Sequence, residues 1–465
     1  MKRYPWLMLF IVKQAYLQKS QIAYRREKLN ETSFNQLITD AYELSECLPL
    51  PSEYGHRHLF LRNLSFQQFI YETDFNYTAI ARTQLLFGGQ NEDSAIGRSF
   101  LKTFGLTCEQ YTLLAFILAI AFHEKNRHQI DFDYLVNICN VFGEQQVRRG
   151  LDCFSVDVDR LSLSLQQKSR IGGGYMELYE QSPFTNFPLI KSGDKYTCVH
   201  PKIFYRALEN LVFDRLRQKN PDEFMKFFGP RFEKYIEDGF RYSGESFFTE
   251  SKMKCLLPHG TKCVDFVFAS TSGNVFVDCK AVDMPPLGKA SSDPDLIADK
   301  VKGSAISAIE QAISLNEYLI SQEDPHDSLP KAANENFVLV VSYRELYLGN
   351  GKTFYEAIAK RRLDEIFKRY DTQALVPLNN IYFISVKDFD FLVSAIRRHE
   401  TTLLEFMRKM VFDDSKSVSS VFDTSQHIAR LTPRGPAPSY LSEVMQSFEC
   451  RAKELLALAE SDLCA

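Results

Sequence analysis

Apolar residues recur at helical spacing through the first part of the chain. Phe34-Leu37-Ile38-Tyr42, Phe66-Phe69-Ile70 and the stretch 107–126 each lay an apolar stripe along one side of a predicted helix. Pro49-Leu50-Pro51-Ser52 and Gly88-Gly89-Gln90-Asn91 read as loops, and Gly172-Gly173-Gly174 as a joint. A hairpin signal follows, Phe187-Pro188-Leu189-Ile190 and Tyr196-Thr197-Cys198-Val199 around the turn Ser192-Gly193-Asp194. Helical spacing then runs from Pro201 to Lys219 and over 221–239, with an interruption expected at Gly229-Pro230. After Gly244 strand patterns take over at 246–249, 263–269, 274–281, 337–341 and 381–385, separated by helical patterns at 295–321 and 353–370. Helical spacing returns at 400–412 and 438–461. These elements predict a mainly α-helical N-terminal domain over 1–185 and an α/β domain over 186–400, a mixed sheet flanked by helices. A helical extension over 401–465 completes the expectation.

Length and composition add limits. The 465 residues suit two to three domains, and 45% hydrophobic with 25% charged residues is ordinary globular usage. A net charge of −4 argues against a general nucleic-acid coat protein but leaves room for a local basic groove. The ten cysteines (47, 108, 139, 153, 198, 255, 263, 279, 450 and 464) include no CxxC, which predicts reduced thiols in a cytoplasmic protein rather than a disulfide or zinc framework. Trp6 to Val12, behind Lys2 and Arg3, imitates a signal peptide, but Lys13, Gln14 and Lys19 stand where a cleavage site should lie, so a buried helix is expected. Thr112 to Phe122 is too short for a bilayer, and no membrane span is expected.

The candidate chemistry lies in Cys263-Val264-Asp265-Phe266-Val267-Phe268, a polar turn, and Val275-Phe276-Val277-Asp278-Cys279-Lys280. Opposed residues of an antiparallel pair share a face, as do residues two apart on one strand. A register pairing Asp265 with Asp278 gathers Asp265, Asp278 and Lys280 and turns Val264, Phe266 and Phe268 the other way. A one-residue slip would move Asp278 to the opposite face. Carboxylates at the end of an apolar hairpin need a compensating charge, which a divalent cation can supply.

This set resembles the PD-(D/E)XK, or restriction-endonuclease-like, nuclease superfamily. The superfamily's first-strand aspartate falls on Asp265 and its D/E-x-K element on Asp278-Cys279-Lys280, with Val264 where the proline of PD would stand. The glutamate of the preceding helix falls on Glu233, with Glu237 its rival one turn on, and the glutamine of the following helix on Gln311. The resemblance covers about 200–400. It implies phosphodiester hydrolysis in which Glu233, Asp265 and Asp278 hold Mg²⁺ or Mn²⁺, Lys280 orients water or neutralises charge, and Gln311 assists. Lys289, in the loop after the catalytic strand, and Lys300 and Lys302 beyond it are the substrate-binding candidates.

A regulator-plus-nuclease layout without helicase or methylase motifs is similar to stand-alone bacterial anti-phage defence nucleases. It implies a nucleic-acid partner and control by a phage-derived or host trigger. With no duplex-DNA reader in evidence, structured RNA such as tRNA is the expected substrate. The rivals are a DNA endonuclease of restriction or repair type and a catalytically silent nuclease-fold binding or sensor protein.

Other features resemble sites less well. Gly349-Asn350-Gly351-Lys352-Thr353 lacks the first P-loop glycine, with Leu346 in its place, and reads as a loop with Thr353 capping a helix. Asp131-Phe132-Asp133 and Asp157-Val158-Asp159 read as exposed strand or helix starts. His123, Glu124 and His128 miss the HExxH spacing. Lys360-Arg361-Arg362, Lys368-Arg369 and Arg397-Arg398 read as a solvated helix face or as a phosphate-contacting rim of the nuclease groove.

Overall fold

The computed structural model describes residues 4–17, 30–44, 55–72, 77–89, 93–123, 125, 127–168, 176–323, 326–433 and 435–462. The loop 49–52, Gln90-Asn91, the Gly172–Gly174 joint, Cys47, Glu124 and Cys464 lie outside them. The chain forms two compact units. One groups Met1–Leu50, Leu64–Phe227 and Ser439–Ala465, the other Pro51–Asn63 and Phe228–Pro438. Neither 185 nor 400 is therefore a boundary. The hairpin and the helix Pro201–Lys219 group with the first unit, residues 401–438 with the second, and the tail helix Ser439–Asp462 with the first.

The first unit is helical around a four-stranded sheet that the periodicity revealed only in part. The predicted hairpin forms as β3 (Leu189–Ser192) and β4 (Lys195–Cys198), and two three-residue strands, β1 (Gln129–Asp131) and β2 (Ser155–Asp157), flank it in the order β1-β4-β3-β2. Three residues are too few to show an alternating pattern, which is why these strands escape a sequence reading. The helix Pro5–Leu17 buries Leu7 and Leu9, as expected of a buried helix. Leu441, Met445, Phe448, Ala452 and Leu455 form the buried stripe of the tail helix. By length and apolarity alone, Ala95–His123 is long enough to cross a membrane. Gly105 breaks it with a left-handed φ of 70°, and 72% of its apolar window is buried as a core element.

The second unit is built on a mixed sheet, β5 (Phe248–Thr249), β6 (Phe266–Ala269), β7 (Asn274–Lys280), β8 (Asn336–Ser342) and β9 (Ile381–Ser385), in that order. The first two pairings are antiparallel and the last two parallel. All of β8 is buried, as in a sheet covered on both faces. The expected helix over 295–321 forms as Pro294–Val301 and Ser307–Ile320 joined by one wide π-type turn. The helix Pro221–Ser243 belongs to this unit from Phe228 onward and shows no break at Pro230. Proline cannot donate to the preceding turn, but Phe228, Phe232, Ile236 and Phe240 recur every fourth residue and are fully buried. That continuous apolar contact holds the helix through the lost hydrogen bond. A helix that the periodicity does not announce, Thr424–Leu431, carries His427, whose Nε2 lies 3.0 Å from Asp414 Oδ1.

Candidate functional site

β6 and β7 pair Phe266 with Val277, and one more step of this register sets Asp265 opposite Asp278. Asp265 sits just before β6, where its Oδ2 accepts a 2.6 Å hydrogen bond from the Cys279 amide. Val264, Phe266 and Phe268 are buried as expected, and so is Val267, because the sheet is covered on both faces. β5 pairs Thr249 with Phe266, and the Glu250 amide donates to the Asp265 carbonyl at 2.7 Å. That contact brings Glu250, at the head of the helix Glu250–Lys254, to the same place.

Glu233, Glu250 and Asp265 each offer an oxygen within 4.8 Å of the others, a grouping suited to a metal ion. The sequence-derived ligand set was Glu233, Asp265 and Asp278, so Glu250 is an addition and Asp278 stands outside the close trio. Among the described residues no other three His, Cys, Asp or Glu side chains gather so closely. Glu237 turns instead to ion pairs with Lys234 and Arg241 on its own helix. Burial raises the Glu233 carboxyl to about 7, and repulsion from Asp265 and Glu250 pushes the same way.

Asp278 is fully buried. Lys280 Nζ stands 2.6 Å from its Oδ2, but the approach is that of an ion pair without hydrogen-bond alignment, and Oδ1 meets no donor among the described residues. Burial first and Asp265 second raise the Asp278 carboxyl above the usual carboxylate range, and Lys280 offsets them only in part. Burial likewise raises Asp265, against the Cys279 amide. Lys280 Nζ also donates to Gln311 Oε1 at 2.9 Å. Gln311 Nε2 donates to the Cys263 carbonyl at 2.8 Å, which fixes the orientation of the amide. The structure thus brings Glu233, Asp265, Asp278, Lys280 and Gln311 together.

The lysines proposed to touch substrate separate. Lys289 is buried, 9% exposed, and pairs with Asp283 at 3.1 Å beside Arg344 at 2.8 Å. Burial alone would raise the Asp283 carboxyl, but Lys289 and Arg344 outweigh it and hold it below its ordinary value. Lys289 is therefore committed to a buried ion cluster, which does not suit it to reach a substrate. Lys300 and Lys302 are exposed. Among the arginines of 360–369, Arg361 pairs with Asp295 and Arg362 with Asp299. In the P-loop-like segment the cap is Asn350, whose Oδ1 accepts from the Thr353 amide at 2.9 Å. Asn350, and not the expected Thr353, is therefore the capping residue.

Glu250 had a faint signal. An acid directly after a short aromatic strand, with Lys254 one turn later, is also what any helix start shows. Its pairing with Lys254 at 2.7 Å fits that ordinary role, and only the β5–β6 contact places it at the site. Compared with protein-family models, curated proteins and solved structures, the chain matches none.

Proposed function

We propose that the second unit is a PD-(D/E)XK-like nuclease domain that hydrolyses phosphodiester bonds with the help of Mg²⁺ or Mn²⁺. The observation that carries this reading is Asp278, a fully buried carboxylate with an oxygen that no donor among the described residues reaches, beside the crowded oxygens of Glu233, Glu250 and Asp265. Buried carboxylates of one sign are costly without a counter-charge. Lys280 pairs with Asp278, and among the described residues it leaves Oδ1 without a donor. The donor set is all oxygen, which suits a hard divalent ion.

Glu233, Glu250 and Asp265 would hold the ion, with Asp278 beside them. When bound, the ion neutralises these carboxylates and polarises the phosphate. Lys280 has three N–H donors. One is given to Gln311 while the ammonium is ion-paired with Asp278, and the others can hold an attacking water or a phosphate oxygen. The Lys280 side chain keeps 17% exposure while Asp278 and Gln311 fix the position of its ammonium. Gln311 is a positioning residue, because its amide is anchored to Cys263 and its oxygen to Lys280.

The substrate we carry forward is structured RNA such as tRNA, ahead of DNA, with the first unit as the part that senses a phage-derived or host trigger. The cytoplasm is the corresponding compartment. The test is cleavage of tRNA, single-stranded DNA and duplex DNA with Mg²⁺ or Mn²⁺, run with Lys280→Ala and with EDTA. RNA cleavage that disappears in both controls is expected. Cleavage of DNA alone would overturn the RNA substrate, and cleavage equal in wild type and Lys280→Ala would overturn the site.

A further inference from the structure

Beside Gln311 on the same helix, Glu310 does something the hydrolytic site does not require. Its carboxylate is 12% exposed and accepts two cations on one oxygen, Lys262 Nζ at 2.6 Å and Arg369 at 2.9 Å. The Tyr370 hydroxyl donates to the same oxygen at 3.4 Å. Both cations remain half exposed, Lys262 at 46% and Arg369 at 54%. The pair carries one net positive charge beyond what Glu310 neutralises, and meeting on one oxygen places both within the span of a single phosphate group.

This pair is tied to the site through consecutive residues. Lys262 precedes Cys263, whose carbonyl holds the Gln311 amide that holds Lys280. The Lys262 amide also donates to Ser314 Oγ at 3.2 Å, fixing its backbone to the helix that carries Gln311. The Arg369 Nε is anchored on the Glu365 carbonyl at 3.3 Å, so the guanidinium is held at its base with donors left over. Arg361 and Arg362 are different, because each meets an aspartate of its own across a helix pair.

Resting on the hydrolytic reading above, we infer that Lys262 and Arg369, bridged by Glu310, form a clamp for a phosphate flanking the scissile bond. The substrate is then a polynucleotide strand rather than a mononucleotide or a small diester. Cations that contact backbone phosphates give affinity without base specificity and make binding depend on salt.

The experiment separates the clamp from the site beneath it. Binding of a fluorescein-labelled oligonucleotide of roughly 12 residues, as RNA and as DNA, is followed by anisotropy against salt in EDTA, where nothing is cleaved. In parallel, wild type is assayed on bis(p-nitrophenyl) phosphate with Mn²⁺, a diester with no flanking phosphate. The double variant Lys262→Gln/Arg369→Gln should bind roughly tenfold more weakly at about 0.1 M salt, with a salt slope smaller by about 2. Glu310→Gln keeps both cations and removes their neutralising charge, so it should bind about twofold tighter or better. Arg361→Gln, equally exposed and engaged with Asp295, should stay within about twofold of wild type.

A purely structural Glu310 predicts weaker binding for Glu310→Gln as well, and that result would overturn the clamp. So would a folded double variant with unchanged affinity and slope. A double variant that fails to fold leaves the decision to Glu310→Gln. Turnover of the small diester by wild type with unchanged oligonucleotide binding in the variants sinks the clamp alone. Absent turnover with weakened variant binding sinks the hydrolytic reading and keeps a polynucleotide-binding surface. The RNA and DNA arms decide which strand it prefers.

Discussion

Asp278→Asn separates a site held for a cation from an ordinary buried ion pair. Asparagine keeps the shape, removes the charge, and supplies a donor. Asp278 is fully buried, and one of its oxygens meets no donor among the described residues. An unsatisfied buried polar group costs roughly 1–3 kcal/mol, more when charged. The loss on the other side is the attraction to Lys280. That ammonium keeps its bond to Gln311 and the field of Asp265, and it is partly solvated. Burial first and Asp265 second outweigh Lys280 at the Asp278 carboxyl, so the substitution relieves the cost of a buried charge. Asp278→Asn in EDTA should therefore be more stable than wild type by roughly 1–3 kcal/mol, read as a thermal midpoint several degrees higher. The sign of the pH dependence follows. A carboxyl whose folded pKa lies above its unfolded value carries no penalty at low pH and acquires one as pH rises between the two, so the variant's advantage grows toward alkaline pH. Saturating Mn²⁺ reverses the order, because a ligand at a hundredfold its Kd stabilises wild type by about 2.7 kcal/mol and the variant less. A variant less stable than wild type in EDTA, with Mn²⁺ leaving the wild-type midpoint unmoved, would refute this reasoning.

Lys280→Ala should lose turnover by roughly 10²–10³ while Mn²⁺ still raises the thermal midpoint; intact turnover would remove Lys280 from the chemistry. Glu250→Gln should weaken Mn²⁺ binding at least tenfold or so, measured by calorimetry, and unchanged affinity would return the ligand set to Glu233, Asp265 and Asp278. His58 is 5% exposed, and burial, aided by Arg62 and His56, lowers its imidazole from 6.5 to about 4 against the pull of the Tyr347 carbonyl. The unfolded chain takes up that proton first, so stability falls as pH drops from 6.5 to about 4, by about 3 kcal/mol in all. His58→Gln should flatten the urea-measured profile over that window; profiles that stay parallel would exclude His58 as the cause.

The Asp265–Asp278 register was one of two alignments the turn allowed, and burial does not choose between them in a sheet covered on both faces; the structure takes the one that sets the two acids opposite each other. Gln311 and Glu233 were reachable only through the resemblance, which assigns a polar residue to each of the two predicted helices flanking the strands. Glu250 was not, since its place depends on a two-residue strand that no periodicity can register. Lys289 looked available in a Pro/Gly-rich loop, but Asp283, which it shares with the distant Arg344, draws it into the interior. The division into two units also runs differently from the expected domain limits. Short connections do not reveal that Pro51–Asn63 groups with residues after 228, or that the tail helix groups with the first unit.

The catalytically silent alternative meets a thermodynamic difficulty at this same site. Stability margins are of order 5–15 kcal/mol, and a fold used only as a binding surface gains nothing by burying Asp278 beside Asp265 with an unserved oxygen. Apolar side chains of similar volume at such positions are commonly neutral or stabilising by roughly 1–4 kcal/mol. Buried polar groups can instead specify a fold, but specification works through completed hydrogen bonds. The Asp414 carboxylate shows that pattern, receiving His427, Asn350, Tyr382 and the Val421 amide. Asp278 shows the opposite one. Within one unit, then, a fully served acid ties strand and helices together, while an underserved acid faces other acids at the sheet's end. The second arrangement makes physical sense when a ligand of opposite charge completes it.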